Sequence, residues 1–89
     1  MSDAQAVFER IKLILAERLR IAPEVLATSD AETGLLGRGI GLDSMEALTL
    51  ANGLEAEFGI VIDDDDLTAE LFATIGSVAA YVRRAIDAR

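Results

Sequence analysis

Apolar residues recur at helical spacing in four stretches of the chain, and nowhere with the sustained alternation of a strand. Over residues 3–20, Ala4, Val7, Phe8, Ile11, Ile14, Leu15 and Leu19 fall three and four apart and form one stripe. Ser2 followed by Gln5 fits a capping box, Arg18 and Arg20 suit the negative end of the helix dipole, and Pro23 bars simple continuation. A second helix over 44–58 turns Ala47, Leu48, Leu50, Ala51, Leu54 and Phe58 inward. Met45, Glu46, Thr49, Asn52, Gly53, Ala56 and Glu57 then face outward, and Gly59 stops the helix. A short third helix over 67–72 follows Asp63 to Asp66, acids that suit a helix N-terminus. The fourth, over 75–87, has Thr74 as N-cap and Ile75, Val78, Ala79, Val82 and Ile86 as its buried stripe, with Arg83, Arg84 and Arg89 toward its end. Residues 27–42 read as a long loop in which Gly34, Gly37, Gly39 and Gly41 turn the backbone while Leu35, Leu36, Ile40 and Leu42 pin it to the core. Ile60-Val61-Ile62 has no strand to pair with and reads as loop tucked onto the core. The pattern predicts an all-α fold, a small four-helix bundle of three main helices and one short one.

At 89 residues the chain is one domain's worth, 1–89, and its core is built from Leu, Ile, Val and Ala because aromatics are few. It contains no cysteine and no histidine, which removes disulfides, ordinary zinc sites and every Ser-His or Cys-His catalytic pair. A hydrolase built on a serine would lack its base, so independent catalysis is not expected. The N-terminal residues lack the basic and apolar regions of a signal peptide, and no apolar run is long enough to span a bilayer. A cytoplasmic monomer is the expectation. The net charge of −8 is unevenly spread: between Gly39 and Val82 there are nine acids and no base. That field disfavours nucleic acid and anionic membrane and favours proteins with basic docking patches, although acidity also serves solubility alone.

The glycine string of 34–41 does not follow a strand or end in Lys-Ser/Thr, so it is not a nucleotide loop. Asp63 to Asp66 lack the alternation, central Gly and distant Glu of a calcium loop, and no structural metal is expected. The chemistry lies instead in Gly41-Leu42-Asp43-Ser44-Met45-Glu46. This segment resembles the phosphopantetheine attachment motif of acyl carrier proteins. The stretches Leu54-Glu55-Ala56-Glu57-Phe58-Gly59-Ile60-Val61-Ile62 and Thr74-Ile75-Gly76-Ser77-Val78 through Tyr81-Val82 are similar to further landmarks of that family at consistent spacing. Departures are the longer glycine-rich loop, Thr49 where an acid is frequent, and Asp63 where proline is frequent. They point to a specialised rather than a housekeeping member.

The resemblance implies a 4'-phosphopantetheine arm taken from coenzyme A, attached to Ser44 by a phosphopantetheinyl transferase to whose recognition Asp43 contributes. The arm's thiol would supply the nucleophile that the chain lacks. A serine at a loop-to-helix junction is ordinarily an N-cap, and position alone favours that reading for Ser44; the resemblance reverses it. Met45, apolar yet outward, suits an adaptable contact for several partners. Glu46, Glu55 and Glu57 are individually more often solvated surface, but together form the docking face the family implies. Acyl-activating, condensing or acyltransferase enzymes with basic patches would pair with it, with encounter weakened by salt. Small residues Ala47, Ala51 and Ala79 leave gaps that an acyl chain could enter. Two alternatives remain open: a carrier of an activated amino acid, and an acidic helical adaptor that never receives the arm.

Overall fold

The computed structural model describes residues 4–37 and 39–88. Among the described residues the helices are α1 (Ala4–Arg18), α2 (Pro23–Ala27), α3 (Ser44–Phe58) and α4 (Ile75–Ala88), with a 3-10 turn at Asp64–Asp66. The all-α bundle of three long helices and one short one therefore holds, but the short helix lies elsewhere. α1 ends at Arg18, before a left-handed Arg20, and Pro23 sits instead at the first position of α2, where its fixed φ fits and its missing N–H costs nothing. The helix expected over 67–72 is a series of turns instead. There the serial acids nucleate only one 3-10 turn, and the Leu71 amide is taken by the Thr68 hydroxyl (3.2 Å) rather than by a helical ladder.

The stripe of α1 buries Val7, Ile11, Ile14 and Leu15, and these meet Leu50 and Leu54 of α3 and Ile75, Val78 and Val82 of α4. Each such side chain, fully buried, contributes on the order of 1.5–3 kcal/mol. α1 and α3 run antiparallel, for Arg10 pairs with Glu57 while Ile14 and Arg18 lie over Gly53. Gly53 was expected outward and is buried: a Cβ there would stand 2.8 Å from Ile14 Cγ2, so glycine lets α1 approach. Leu48 errs the other way and is 47% exposed. Beyond α3, Gly59 takes φ +64° and ends the helix as expected, Ile60 and Ile62 are buried, and Val61 is 79% exposed. Ser2, on which the expected capping box with Gln5 rests, and Arg89 lie outside the described residues.

The glycine-rich loop is a hydrogen-bonded unit. Amides of Ile40 and Leu42 donate to the carbonyls of Gly34 and Leu35, each at 2.8 Å, and Leu35 is fully buried. Short bridges join Leu36 to Leu42, just before α3, and Gly34 to Thr74, just before α4. The loop thus holds the first turns of both helices at one end of the bundle.

Candidate functional site

The first turn of α3 is built by a reciprocal cap. Asp43, in extended backbone, accepts the Glu46 amide on Oδ1 (2.8 Å), and Glu46 Oε1 accepts the Asp43 amide (3.1 Å). Two amides that a helix start leaves unsatisfied are met, by carboxylates well matched to the positive end of the dipole. Asp43 being the cap, Ser44 stands one residue later, at the first helical position, and is relieved of the capping duty that its position suggested. Its side chain is exposed, and among the described residues the hydroxyl has no hydrogen-bond partner. The amides of Ser44 and Met45 likewise have none among them. The molecule here offers a solvent-facing hydroxyl beside two open N–H groups.

Met45 is 73% exposed, and Leu48, one turn on, joins it as an apolar ledge beside Ser44. From that ledge opens an apolar groove of about 440 Å³ between α3 and the 67–72 turns, lined by Leu36, Leu42, Ser44, Ala47, Leu48, Leu67, Thr68, Ala69 and Phe72. Of the three alanines expected to leave room, only Ala47 reaches it. Leu48 was missed because a helical wheel assigns it to the core, whereas the wall facing it is turns that stand off from α3.

The glutamates expected to meet partners all have work inside the molecule. Glu46 is half-buried in the cap. Glu55 Oε2 accepts the Ile62 amide at 2.8 Å, fixing the segment after α3. Glu57 pairs with Arg10 of α1. At the position where an acid is frequent, Thr49 donates its hydroxyl to the Met45 carbonyl (3.1 Å). Of the three glutamates, only Glu57 has its charge met by a cation among the described residues.

Behind the groove wall, the Tyr81 hydroxyl of α4 donates to Asp66 Oδ2 at 2.7 Å. Burial, this hydrogen bond and the charges of Asp66 and Asp63 push the Tyr81 phenol up to about 12. Nothing in the sequence pairs these two residues, which lie 15 positions apart. Among the described residues no cluster of acids could hold a metal ion, and no helix is long and apolar enough to cross a membrane.

The chain is similar in sequence to known proteins of one family. The sequence profile of the family described as "Phosphopantetheine attachment site" matches residues 9–82. A curated acyl carrier protein of Thermotoga maritima is 31% identical over 84 residues, covering 94% of this chain and 96% of the relative. An acyl carrier protein of Wolinella succinogenes is 34% identical over 77 residues, covering 86% of this chain and 93% of the relative.

Proposed function

The chain belongs to the acyl carrier protein family, and on that premise we propose Ser44 as the attachment point of the 4'-phosphopantetheine arm. Residues 1–89 then act as one carrier domain, presenting acyl intermediates to enzymes of fatty acid, lipid or polyketide synthesis. The observation that carries this reading is the exposed hydroxyl of Ser44 at the first position of a helix whose cap is supplied by its neighbour.

These residues fit the group. A phosphodiester on Ser44 Oγ would lie against the open amides of Ser44 and Met45 and the positive end of the α3 dipole. The carboxylates of Asp43 and Glu46 are turned to backbone amides, which tempers their repulsion of a phosphate. When bound, the arm supplies a terminal thiol that holds an acyl group as a thioester. Met45 and Leu48 form the apolar surface a partner must cover to reach Ser44, and Asp43 holds Ser44 in place for the transferase. The apolar groove beside Ser44 suits an acyl chain better than a charged amino acid, and this favours the acyl reading over the aminoacyl one.

Incubation with coenzyme A and a broad-range phosphopantetheinyl transferase, followed by intact-mass measurement, is the test. The expected result is one adduct on the native chain and none on Ser44→Ala. An unmodified native chain would return the adaptor reading, and an adduct persisting in Ser44→Ala would place the arm elsewhere. Loading with acyl and aminoacyl groups in parallel then separates the two carrier readings.

A further inference from the structure

The two sides of the groove beside Ser44 are made differently. One is α3, a regular helix with a complete cap. The other is the 66–72 segment, which contains turns and no helical ladder, and which faces α3 through the apolar side chains of Leu67, Ala69 and Phe72. Its C-terminal half is anchored by Leu71 and Phe72, which are buried in the core, but no ladder stiffens its N-terminal half, so contacts from behind bear on its shape. Two hydroxyls of α4 make such contacts: Tyr81 donates to Asp66 (2.7 Å), and Ser77 Oγ lies 2.7 Å from the Leu71 carbonyl. They grip the wall at its two ends. The polar cleft that contains Asp66, Leu71, Ser77 and Tyr81 also contains Thr68, which lines the Ser44 groove on its other side. Only this one segment therefore separates latch from groove.

Resting on the reading of that groove as the acyl chain's shelter, we propose that Tyr81 is a positioning residue for cargo: its hydrogen bond to Asp66 holds the groove wall in the shape that receives an acyl chain. With the bond made, the wall is ordered before the chain enters, and sheltering it costs little further conformational entropy. Without it, the chain must order the wall itself and is held less well. The hydrogen bond belongs to the hydroxyl, so removing that one atom leaves the ring's packing intact.

The test loads the protein from octanoyl-coenzyme A with a broad-range transferase. Ser44 Oγ forms a new bond to phosphorus, the pyrophosphate bond of the donor breaks, and adenosine 3',5'-bisphosphate leaves with the Ser44 proton released to solvent. Thermal midpoints are then compared between protein carrying the bare arm and protein carrying the octanoyl arm, together with the rate of thioester cleavage by hydroxylamine. In the native chain the octanoyl group is expected to raise the midpoint and slow cleavage. Tyr81→Phe and Asp66→Ala should each lose most of that increment and cleave faster, whereas Asp66→Asn, which keeps an acceptor oxygen, should retain it. A purely structural role would lower the midpoint of both loaded and bare forms equally and leave the increment unchanged. That outcome in both Tyr81→Phe and Asp66→Ala overturns the proposal while the groove reading stands. No octanoyl increment in the native chain removes the groove reading and the proposal with it.

Discussion

α3 and α4 begin at the same end of the bundle and begin alike. Each starts from a side-chain cap: Asp43 with Glu46 for α3, and Thr74 with Ser77 for α4, where the Ser77 amide donates to Thr74 Oγ1 (2.9 Å) and the Thr74 amide to Ser77 Oγ (3.1 Å). The following positions then diverge. At the first, Ser44 is exposed and Ile75 is fully buried; at the second, Met45 is 73% exposed and Gly76 is pressed against Ala31. The amides of Ile75 and Gly76 donate to the carbonyls of Thr33 (3.0 Å) and Ala31 (2.8 Å), while those of Ser44 and Met45 stay open among the described residues. A helix start sealed by the chain's own carbonyls is a joint. One capped in the same way and left open is a place where an anion can be held, so the cap alone does not tell the two starts apart.

Substitution at the second position should separate the two starts most sharply. In Gly76→Ala the new Cβ would stand 2.7 Å from the Ala31 carbonyl oxygen, a backbone atom that must move and that also accepts the Gly76 amide. Overpacking of this kind costs about 1–3 kcal/mol, of which the better helix propensity of alanine offsets up to about 1 kcal/mol. The expected outcome is a lower urea midpoint with arm attachment retained, while Met45→Ala at the matching position leaves stability within about 0.5 kcal/mol. Equal midpoints for the two variants would erase the contrast.

The caps themselves come next in size. Asp43→Ala and Thr74→Ala should each cost about 1 kcal/mol, within the usual range for a lost N-cap. Only Asp43→Ala should also slow transfer of the arm to Ser44, because only that cap holds the acceptor hydroxyl. Transfer rates measured at a temperature where both variants are folded would decide it. Slowing by both would mean that stability, and not the position of Ser44, controls the reaction.

Long periodic stripes made α1, α3 and α4 legible in the sequence, since they rest on local spacing, whereas the Asp43-Ser44-Met45 segment stood out only through its resemblance to a family motif, position alone favouring an ordinary N-cap for Ser44. What escaped depends on contacts between distant residues. Gly53 reads as an outward position until α1 is brought against it, and Leu48 reads as core until its opposing wall proves to be turns. The Glu55–Ile62, Glu57–Arg10 and Tyr81–Asp66 pairings follow from the packed arrangement, and no periodicity announces them. Pro23 carried a local signal that points both ways, since a proline that ends one helix also suits the first position of the next.

The approach to the α4 cap can be followed through its one tyrosine. With Tyr81 the sole tyrosine and no tryptophan, ultraviolet absorbance should report a single ionisation with a midpoint near 12 instead of the ordinary 10. A phenol whose folded pKa lies above its unfolded value contributes stability that is fully present below pH 10 and is lost as pH rises toward 12. Tyr81→Phe should remove that part of the alkaline slope. Ionisation at the ordinary value would mean that Asp66 is not its partner in solution.

The smallest effect is expected at the opposite end of α3. Glu57 pairs with Arg10 at the surface, both partners well solvated, and such pairs contribute about 0–1 kcal/mol. Glu57→Gln should therefore move the urea midpoint little. It should also alter the salt dependence of arm transfer less than Asp43→Asn does, because the Glu57 charge is already met by Arg10 and lies almost the full length of α3 from Ser44. Transfer rates over a range of ionic strength compare the two variants directly. A strong effect at Glu57 would show that partners read charge along all of α3, and the open first turn would then be a point of attachment without also being the centre of recognition.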